Sequence, residues 1–348
     1  MALRIGLAYN QKPAEDDEPP SRDDEPPSRV DDRYAEWDDP ETIDAVAAAL
    51  GRFGEVVRLE AVDDFPARLR ESRPDIVFNI AEGTSGPNRE AHVPAICEFF
   101  GIPYTGSDPL TLSLALEKRR AKEVFRARRV PTPPYAVVEP GDFRLRRRLP
   151  LPAIVKPLFE GSSKGIPNRA YCETPDAVRR RVAEIHEEYG QPALVEAFLP
   201  GREFTCAILG NGAAARILPI VEIRFDALPA GAAPIYGYEA KWVWDTPDSP
   251  LEIFDCPAAV EPALARAIER TALAAHRALG CRDWSRVDLR LDERGRPQVI
   301  EINPLPGILP DPRQNSCFPK AARAAGLDYD ALIGSVLTIA LERYGIRP

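Results

Sequence analysis

The sequence predicts an α/β fold with a parallel sheet in its N-terminal domain. Over the first hundred residues, short apolar runs alternate with segments whose apolar residues recur at helical spacing. Near the other end, two apolar runs within 284–303 are joined around a glycine, which predicts a β-hairpin. The alternation of strand and helix implies parallel strands with right-handed crossovers.

Length and composition are those of a folded protein with more than one domain. The chain has 348 residues, of which 44% are hydrophobic and 28% charged, so we expect two or three domains. No apolar run approaches the roughly 18 residues of a transmembrane helix. The first ten residues also lack the pattern of a secretory signal. We therefore expect a cytoplasmic protein that has no membrane partner.

The negative charge is confined to one end of the chain. Residues 1–45 hold fourteen acidic and five basic residues, whereas the remainder balances 40 acids against 40 bases. A nucleic-acid partner is not expected, because binding to phosphates needs a net basic face.

Cysteine, histidine and lysine are each informative through their number. Six cysteines without a CxxC pair exclude a zinc ribbon, and we expect reduced, buried thiols. With three histidines, a multi-histidine metal centre is not expected. The chain has 38 arginines but only seven lysines, so each lysine is a candidate point charge, with ordinary surface positions as the alternative.

The N-terminal domain is expected to span residues 1–107. Its strands are predicted at 3–9, 55–60 and 75–80, and its helices at 41–53, 65–71 and 89–101. No GxGxxG follows the first strand, so dinucleotide binding is not supported. Instead, residues 12–35 form an acidic, proline-rich insertion in which DDEPPSR occurs twice, at 16–22 and 23–29. We expect a surface insertion, with a calcium or partner site as the alternative.

The rest of the chain is expected to divide at about residue 194. The central domain, 108–194, opens with a helix over 108–128 that Asp108 caps, followed by a strand at 153–157 and a helix at 174–188. A strand at 193–198 leads into the C-terminal domain, 195–348. Further elements are expected there: strands at 202–210 and 215–225, a helix at 257–279, the hairpin and two terminal helices.

The hairpin carries the clearest chemistry. Strand periodicity places Glu301 and Asn303 on one face, and a turn near 294–295 sets Asp288 opposite Glu301. Three oxygen ligands would then form a patch suited to Mg²⁺, with Arg286 on the same face. A solvated polar face with a salt bridge is the alternative. The metal is favoured because VIEIN is an apolar run, and two acids, Asp288 and Glu301, within such a hairpin are costly without a cation.

Two other segments carry weaker signals. The loop EGSSKG at 160–165 follows a strand that contains Lys156, and its backbone N–H groups and hydroxyls suit phosphates, although it is not a Walker A motif. In LVEAFLPGREF, Glu196 and Glu203 flank a Pro-Gly turn. A nucleotide hinge and ordinary surface acids both remain open for this second segment.

Taken together, these motifs resemble a known family. The ordered segments REAHVPAICEFFGIPYTGSD, AIVKPLFEGSSKGI, LVEAFLPGREFT, YGYEAKW, GCRDWSRVDLRLDERGRPQVIEINPLPGI and SCFPKAARAAG are similar to the D-alanine–D-alanine ligase family of the ATP-grasp superfamily. The resemblance runs from about residue 75 to 335. It implies an ATP-grasp fold preceded by a Rossmann-like domain, with ATP held between the second and third domains.

The resemblance also implies roles for individual residues. Those implied to bind ATP are Lys118, Lys156, Ser162, Ser163, Glu196, Ala197, Leu199, Glu203 and Lys241. Two Mg²⁺, with Mn²⁺ as an alternative, would be held by Asp288, Glu301 and Asn303.

The implied reaction joins a carboxylate to an amine. The carboxylate attacks the γ-phosphate of ATP to form an acyl phosphate, and the amine of a second substrate then attacks that acyl carbon. Lys241 and Ser163 would contact the transferring phosphoryl group. Arg286 and the N–H of Gly307 would stabilise the oxyanion. Closure of the loops at 160–165 and 226–245 would exclude water.

The acceptor half departs from the family. The family's histidine is missing from NIAEGTSGPNREA, where Glu90 takes the position of its acidic residue and Glu82 or Arg89 is open to a new role. Glu36 is the nearest replacement for the glutamate that binds the first substrate's ammonium, with the register off by one.

Three further features lie towards the C-terminus. Trp242 replaces a tyrosine, with loop packing as the alternative to a functional role. Ser316 matches the serine that holds the second substrate's carboxylate. Arg313, in a loop longer than the family's, is either an assistant to Ser316 or a solvated charge.

The leading hypothesis is an ATP-dependent carboxylate–amine ligase that makes a dipeptide-type bond. The alternatives are a ligase for a different amino acid pair or natural-product carboxylate, and a nucleotide-binding protein without turnover. A homodimer is an expectation from the resemblance alone.

Overall fold

Three sheets organise the residues that the structure describes, which are 3–13, 34–142, 149–246 and 249–347 of a computed structural model. Both copies of DDEPPSR fall outside these ranges, as do residues 14–33 of the predicted insertion. Among the described residues, the three sheets follow one another along the chain in the order of the predicted domains.

The first sheet is parallel, as predicted. Its strands are β1 (Leu3–Tyr9), β2 (Gly54–Glu60) and β3 (Ile76–Asn79), in the order β2-β1-β3. The connecting helices are α1 (Pro40–Leu50), α2 (Phe65–Ser72) and α3 (His92–Phe100), the last entered through a 3₁₀ turn at Arg89–Ala91. β1 is apolar along nearly its whole length because helices cover both faces of a parallel sheet.

The second sheet is antiparallel and has the order β4-β7-β5-β6. Its strands are β4 (Tyr135–Val138), β5 (Ala153–Pro157), β6 (Tyr171–Cys172) and β7 (Ala193–Ala197). Helix α6 (Pro175–Tyr189) packs Val182 and Ile185 against Val155 and Val195. The expected boundary at residue 194 falls inside β7, which pairs with β4 and β5 up to Ala197. The domain limits themselves stay a prediction.

The third sheet contains the predicted hairpin. Its strands are β8 (Glu203–Leu209), β9 (Arg216–Ile217), β10 (Val221–Ile223), β11 (Phe254–Asp255), β12 (Trp284–Leu291) and β13 (Pro297–Asn303). The order is β11-β10-β8-β12-β13, with β9 beside β8 and every pairing antiparallel. The predicted strand at 215–225 was wrong in one respect: it is divided into β9 and β10, with Pro219, which has no N–H to donate, in the gap.

The single helix predicted over 108–128 is also wrong. Asp108 does cap it, accepting the Thr111 N–H at 2.8 Å, but the helix divides into α4 (Pro109–Leu116) and α5 (Lys118–Ala127). Glu117 between them is extended, at φ −84° and ψ 92°, and its side chain accepts the Arg120 N–H and caps α5. The break places Lys118 at the start of a helix.

Three helices complete the described residues. α7 (Pro262–Leu279) packs on β12 and β13, sharing a core with Phe125 of α5. α8 (Cys317–Ala324) and α9 (Tyr329–Tyr344) pack their buried side chains into the core that holds β1 and α1. Within the described ranges, no single helix is long and apolar enough to cross a membrane; only α8 and α9 counted together, bent by 98°, pass that test.

Candidate active site

A cavity of about 500 Å³ is lined by residues of the second and third sheets and by loops that leave all three sheets. Its wall contains most of the predicted site residues: Glu36, Glu90, Lys118, Lys156, Ser162, Ser163, Glu203, Lys241, Arg286, Asp288, Glu301, Asn303, Gly307 and Ser316. Glu196, Ala197 and Leu199 lie outside the wall and are buried. A cavity of about 750 Å³ between α9 and the β8–β9 turn is larger, but it contains none of these residues.

The residues predicted to hold a metal are brought together in the hairpin, where a β-bulge between Asp288 and Leu289 shifts the pairing by one residue. Asp288 of β12 pairs with Glu301 of β13, and Arg286 pairs with Asn303. Arg286 donates from Nε and Nη2 to the two oxygens of Asp288, at 3.0 and 2.9 Å. Asn303 Nδ2 donates to Asp288 Oδ2 at 3.1 Å, which leaves its amide oxygen free of that bond. Alternation along two paired strands therefore presents all four side chains to the cavity.

This donor set fits Mg²⁺. No group of three or more His, Cys, Asp or Glu among the described residues is arranged to hold a metal ion alone. Two carboxylates and an amide oxygen do match the way Mg²⁺ is held beside phosphates, with oxygens of water and ligand completing its shell. Burial raises the pKa of Glu301, but Lys118, Lys156 and Arg286 outweigh this effect and lower it. Glu301 is therefore an anion that a cation can use.

Buried lysines dominate the electrostatics beside this patch. Lys118, Lys122, Lys156 and Lys164 are all buried, which excludes the alternative that these lysines are ordinary surface residues. Lys118 Nζ donates to the carbonyl of Glu160 and lies 3.8 Å from Glu301 Oε2. Burial lowers the pKa of Lys118, and Glu301 only partly offsets it. A phosphate chain at this position would supply the missing negative charge.

Glu196 is held from inside the protein. Lys122 Nζ lies 2.5 Å from its Oε2 and Lys156 Nζ lies 3.9 Å from its Oε1. Lys122 also donates to Thr132 Oγ1 and to the Ile300 carbonyl, so it joins β7 to β13. Sequence reasoning gave Lys122 no role, and its only signal was the rarity of lysine in the chain.

Glu203, at the start of β8, is paired with Arg290 of β12. Arg290 Nη1 lies 2.9 Å from Glu203 Oε2 and also donates to the carbonyl of Pro234. Burial raises the pKa of Glu203, and Arg290 partly offsets that rise. Glu203 therefore lines the cavity while Arg290 holds its Oε2 in place.

The loop at 160–165 is tied to the N-terminal domain. Ser162 and Ser163 both have left-handed φ, at 48° and 62°, which turns the loop sharply over the cavity. Gly161 N–H donates to Glu36 Oε1 at 2.8 Å, and a Cβ on Gly161 would lie 2.6 Å from that oxygen. Ser163 Oγ donates to the carbonyl of Tyr236 at 3.1 Å. Contacts with Glu36 and Tyr236 therefore hold this loop closed.

A charge network that sequence reasoning missed supports this closure. Arg89 Nη2 donates to both oxygens of Glu36, at 2.9 and 2.8 Å, and lies 3.3 Å from Glu160 Oε2. Lys164 Nζ lies 3.0 Å from the same Glu160 oxygen. Burial raises the pKa of Glu160, but Lys164 and Arg89 reverse this and lower it. Two cations and two anions therefore neutralise one another.

The segment opposite that loop carries Lys241 and Trp242 in a π-helical turn, Glu239–Trp244. Burial, followed by repulsion from Arg286, lowers the pKa of Lys241 to about 8. Its Nζ lies 4.8 Å from the centre of the Trp242 ring. Trp242 Nε1 donates to the carbonyl of Ser162 at 3.0 Å, so the indole links the two loops.

At the far end of the cavity lies the N-terminus of α8. Ser316 Oγ donates to the carbonyl of Gly307 and accepts the N–H of Leu309. Both Ser316 and Cys317 line the wall. Arg313 does not: it pairs with Asp311 and its side chain is 74% exposed, which agrees with the solvated alternative.

The end of the cavity nearest the first sheet is acidic. It is lined by Glu82 and Glu90, beside Trp37 and Asp38. Burial, followed by repulsion from Glu36, raises the pKa of Glu90 to about 8, and burial also raises the pKa of Glu82 and of Asp38, the last to about 7. These carboxyls have no counterion comparable to the Arg89 that serves Glu36.

Comparison with known proteins decides the family. A family model described as D-ala D-ala ligase C-terminus matches residues 124–338. A D-alanine–D-alanine ligase of Pelotomaculum thermopropionicum is 31% identical over 301 residues, 84% of this chain and 88% of that protein. The chain belongs to the D-alanine–D-alanine ligase family. This result confirms the predicted family. It also confirms, at the level of the family, the prediction of a ligase that forms C–N bonds.

Two further proteins extend the comparison. The uncharacterised protein y4sG of Sinorhizobium fredii is 36% identical over 317 residues, covering 88% of this chain and 90% of y4sG. The crystal structure of a Bacillus anthracis D-alanine–D-alanine ligase complexed with ATP covers 99% of both chains at a TM-score of 0.70 and 22% identity. This likeness confirms the predicted fold, an ATP-grasp fold preceded by a parallel sheet.

Proposed function

We propose that the protein is an ATP-dependent carboxylate–amine ligase that joins two amino acids through an acyl phosphate. One observation carries the proposal. The buried lysines Lys118 and Lys156, the loop cation Lys241 and the acid pair Asp288–Glu301 all converge on one closed cavity. A site that only bound nucleotide would not need Arg286 beside its metal ligands.

The nucleotide would lie between the second and third sheets. Glu196, with Ala197 and Leu199 at the end of β7, is proposed to bind the adenine edge, and Glu203 the ribose. Lys118 and Lys156 would contact the phosphates, while the loop at Ser162 and Ser163 covers them. Support comes from the buried positive charge, which no carboxylate of the described chain fully balances.

Mg²⁺ would be held by Asp288, Glu301 and Asn303. When bound, it neutralises charge on the phosphate oxygens that it contacts. The chain's own residues do the rest: Lys241 holds the transferring phosphoryl group, and Arg286 meets the oxyanion that forms when the amine attacks. The closed loops at 160–165 and 239–244 keep water from the acyl phosphate.

The second amino acid would present its carboxylate to the start of α8. Ser316 lies just before this helix, where unpaired N–H groups favour an anion. The N–H of Gly307 is proposed as a further contact to the oxyanion. Cytoplasmic location and a homodimer remain proposals drawn from the family.

Phosphate release from Mg-ATP tests the function. The assay uses D- and L-amino acids singly and in pairs, with amide formation followed by mass spectrometry. Release that requires amino acid, together with a dipeptide product, is the expected result. Release without any amide product under every pair would contradict a ligase. Asp288→Asn, which weakens the proposed metal site, is the matched variant with slowed release, and Asp311→Asn is the control outside the cavity.

A further inference from the structure

The acidic end of the cavity holds two carboxyls for which the described part of the chain provides no partner. Glu90 is 9% exposed, lines the cavity, and has no hydrogen bond or ion pair with any described residue. Glu82 lines the same end and is equally without a partner within the described ranges. A carboxyl buried without a donor is unfavourable, so such groups mark a place where a ligand supplies one.

These two carboxyls are held close together. Gly83, next to Glu82, has φ +81°, and a Cβ there would lie 2.4 Å from the carbonyl oxygen of Arg89, next to Glu90. The backbone on the other side is also fixed, because Gly83 N–H donates to Asn10 Oδ1 at 2.8 Å and Trp37 Nε1 donates to the Gly83 carbonyl at 3.1 Å. The backbone that carries the buried Glu90 and the half-buried Glu82 is therefore fixed on both sides.

Glu36, unlike this pair, has hydrogen-bond partners for both of its carboxylate oxygens. Arg89 binds both of its oxygens, and the Gly161 N–H binds Oε1. Lys164 lies 3.8 Å from its Oε2. An ammonium that bound Glu36 would compete with a buried bidentate guanidinium, the stronger type of charged hydrogen bond.

We propose that Glu90 and Glu82 form the subsite for the ammonium of the first amino acid, and that Glu36 is a positioning residue. This inference rests on the proposed function, because it assigns the ammonium to the substrate whose carboxylate is phosphorylated. Glu36 acts through Arg89 and Gly161 by holding the 160–165 loop over the phosphates. The indole of Trp37 lines the same end and offers a face to the cation.

A metal ion is a poorer occupant of this end. The paired carboxylates that Mg²⁺ prefers are already provided by Asp288 and Glu301 of the hairpin. The charges of Glu36 and Arg89 also act on both carboxyls. Glu82 is in addition near the charge of Asp38, and Glu90 is near those of Lys118 and Glu301. One monovalent cation balances one ionised carboxyl, whereas the second stays protonated and donates a hydrogen bond.

Calorimetric titration of the full-length protein tests the assignment without requiring turnover. The probes are methylammonium, D-alanine and L-alanine, with propanoate as the matched compound that lacks the ammonium. We expect at least one alanine to bind and propanoate not to bind. Titration in two buffers of different ionisation enthalpy should show proton release near pH 7, because a carboxyl must ionise to receive the cation.

Variants separate the two roles. Glu90→Gln and Glu82→Gln should each weaken alanine binding about 10- to 100-fold, the range for a hydrogen bond to a charged group. Glu36→Gln should leave alanine binding within about twofold and instead weaken binding of Mg-ADP, since it loosens the loop. Glu98→Gln, whose carboxylate accepts from Tyr104 outside the cavity, is the control.

Each other outcome overturns the assignment. It fails if Glu36→Gln weakens alanine binding and Glu90→Gln does not, if propanoate binds as well as alanine, or if neither alanine binds the wild type. Failure of the ligase proposal is distinct, because it would appear as absent amide formation while alanine binding and its loss in Glu90→Gln persist. Glutamine is isosteric with a protonated carboxyl, and thermal unfolding will confirm that each variant folds.

Discussion

Replacing Lys122 by methionine should destabilise the protein strongly although Lys122 touches no predicted substrate. Its side chain is 1% exposed and its Nζ lies 2.5 Å from Glu196 Oε2. Breaking a buried ion pair from one side costs about 3–5 kcal/mol, because the other charge stays buried. Lys156, 3.9 Å from the other oxygen of Glu196, remains as a partner. We therefore expect the lower end, a loss of about 3 kcal/mol.

Urea unfolding measures this loss. With an m value of about 3 kcal/mol/M, the midpoint should fall by about 1 M. The double variant Lys122→Met/Glu196→Gln removes the orphaned charge and should recover more than 1 kcal/mol relative to Lys122→Met alone. If Lys122→Met shifts the midpoint by less than about 0.3 M, or the double variant loses the sum of the single losses, the ion pair is not what holds β7 to β13.

Four further predictions concern pH, loop closure and metal. Burial lowers the pKa of His276 to about 4, below its ordinary 6.5. As the pH falls, the unfolded chain therefore takes up a proton first, and the free energy of unfolding should fall between pH 6.5 and 4 by about 3 kcal/mol. Urea midpoints measured against pH test this, and His276→Asn should lack the fall. Because the pKa of Lys241 is about 8, kcat/KM for ATP should decline as pH rises through 8, and Lys241→Arg should carry the plateau to higher pH; an unchanged profile would contradict a role for its charge. Trp242→Phe keeps the ring but loses the bond to Ser162, so kcat should fall roughly tenfold and cleavage within 160–165 should become faster in limited proteolysis. Chelation of Mg²⁺ should abolish phosphate release, and Asp288→Asn should raise the Mg²⁺ concentration needed for half-maximal rate; turnover in excess EDTA would refute the metal site.

The sequence was sufficient where local pattern decides geometry. The glycine at 295 marks the hairpin turn, and the predicted pairing of Asp288 with Glu301 is observed, although a β-bulge between Asp288 and Leu289 contributes to that register. Asp108 as a capping residue predicts a helix start, and the cap bond confirms it. In each case the deciding residues lie within one or two turns of chain.

Sequence pattern was insufficient where a distant contact decides. The continuous helix expected over 108–128 breaks at Glu117, where the Lys118 N–H donates to the carbonyl of Leu158 on another element. The network of Glu36, Arg89 and Lys164 joins residues up to 128 positions apart, and no local pattern marks it. Arg89 and Glu82 stood out in the sequence only as departures from the family pattern. Their roles depend on which of the two has a partner in the folded protein, and sequence alone does not show this.

The two ends of the acidic insertion are fastened to each other. Lys12 N–H donates to the carbonyl of Asp38, Asp38 N–H donates to the carbonyl of Asn10, and Gln11 forms a parallel bridge with Asp38. The described residues on the two sides of the insertion therefore meet at one fixed point, two residues from Glu36. Since closure entropy grows by only about 0.6 kcal/mol for each doubling of loop length, a third copy of DDEPPSR or the loss of one should hardly move Glu36. The position of the heptapeptide is therefore a natural point at which to graft a reporter peptide beside the proposed active site.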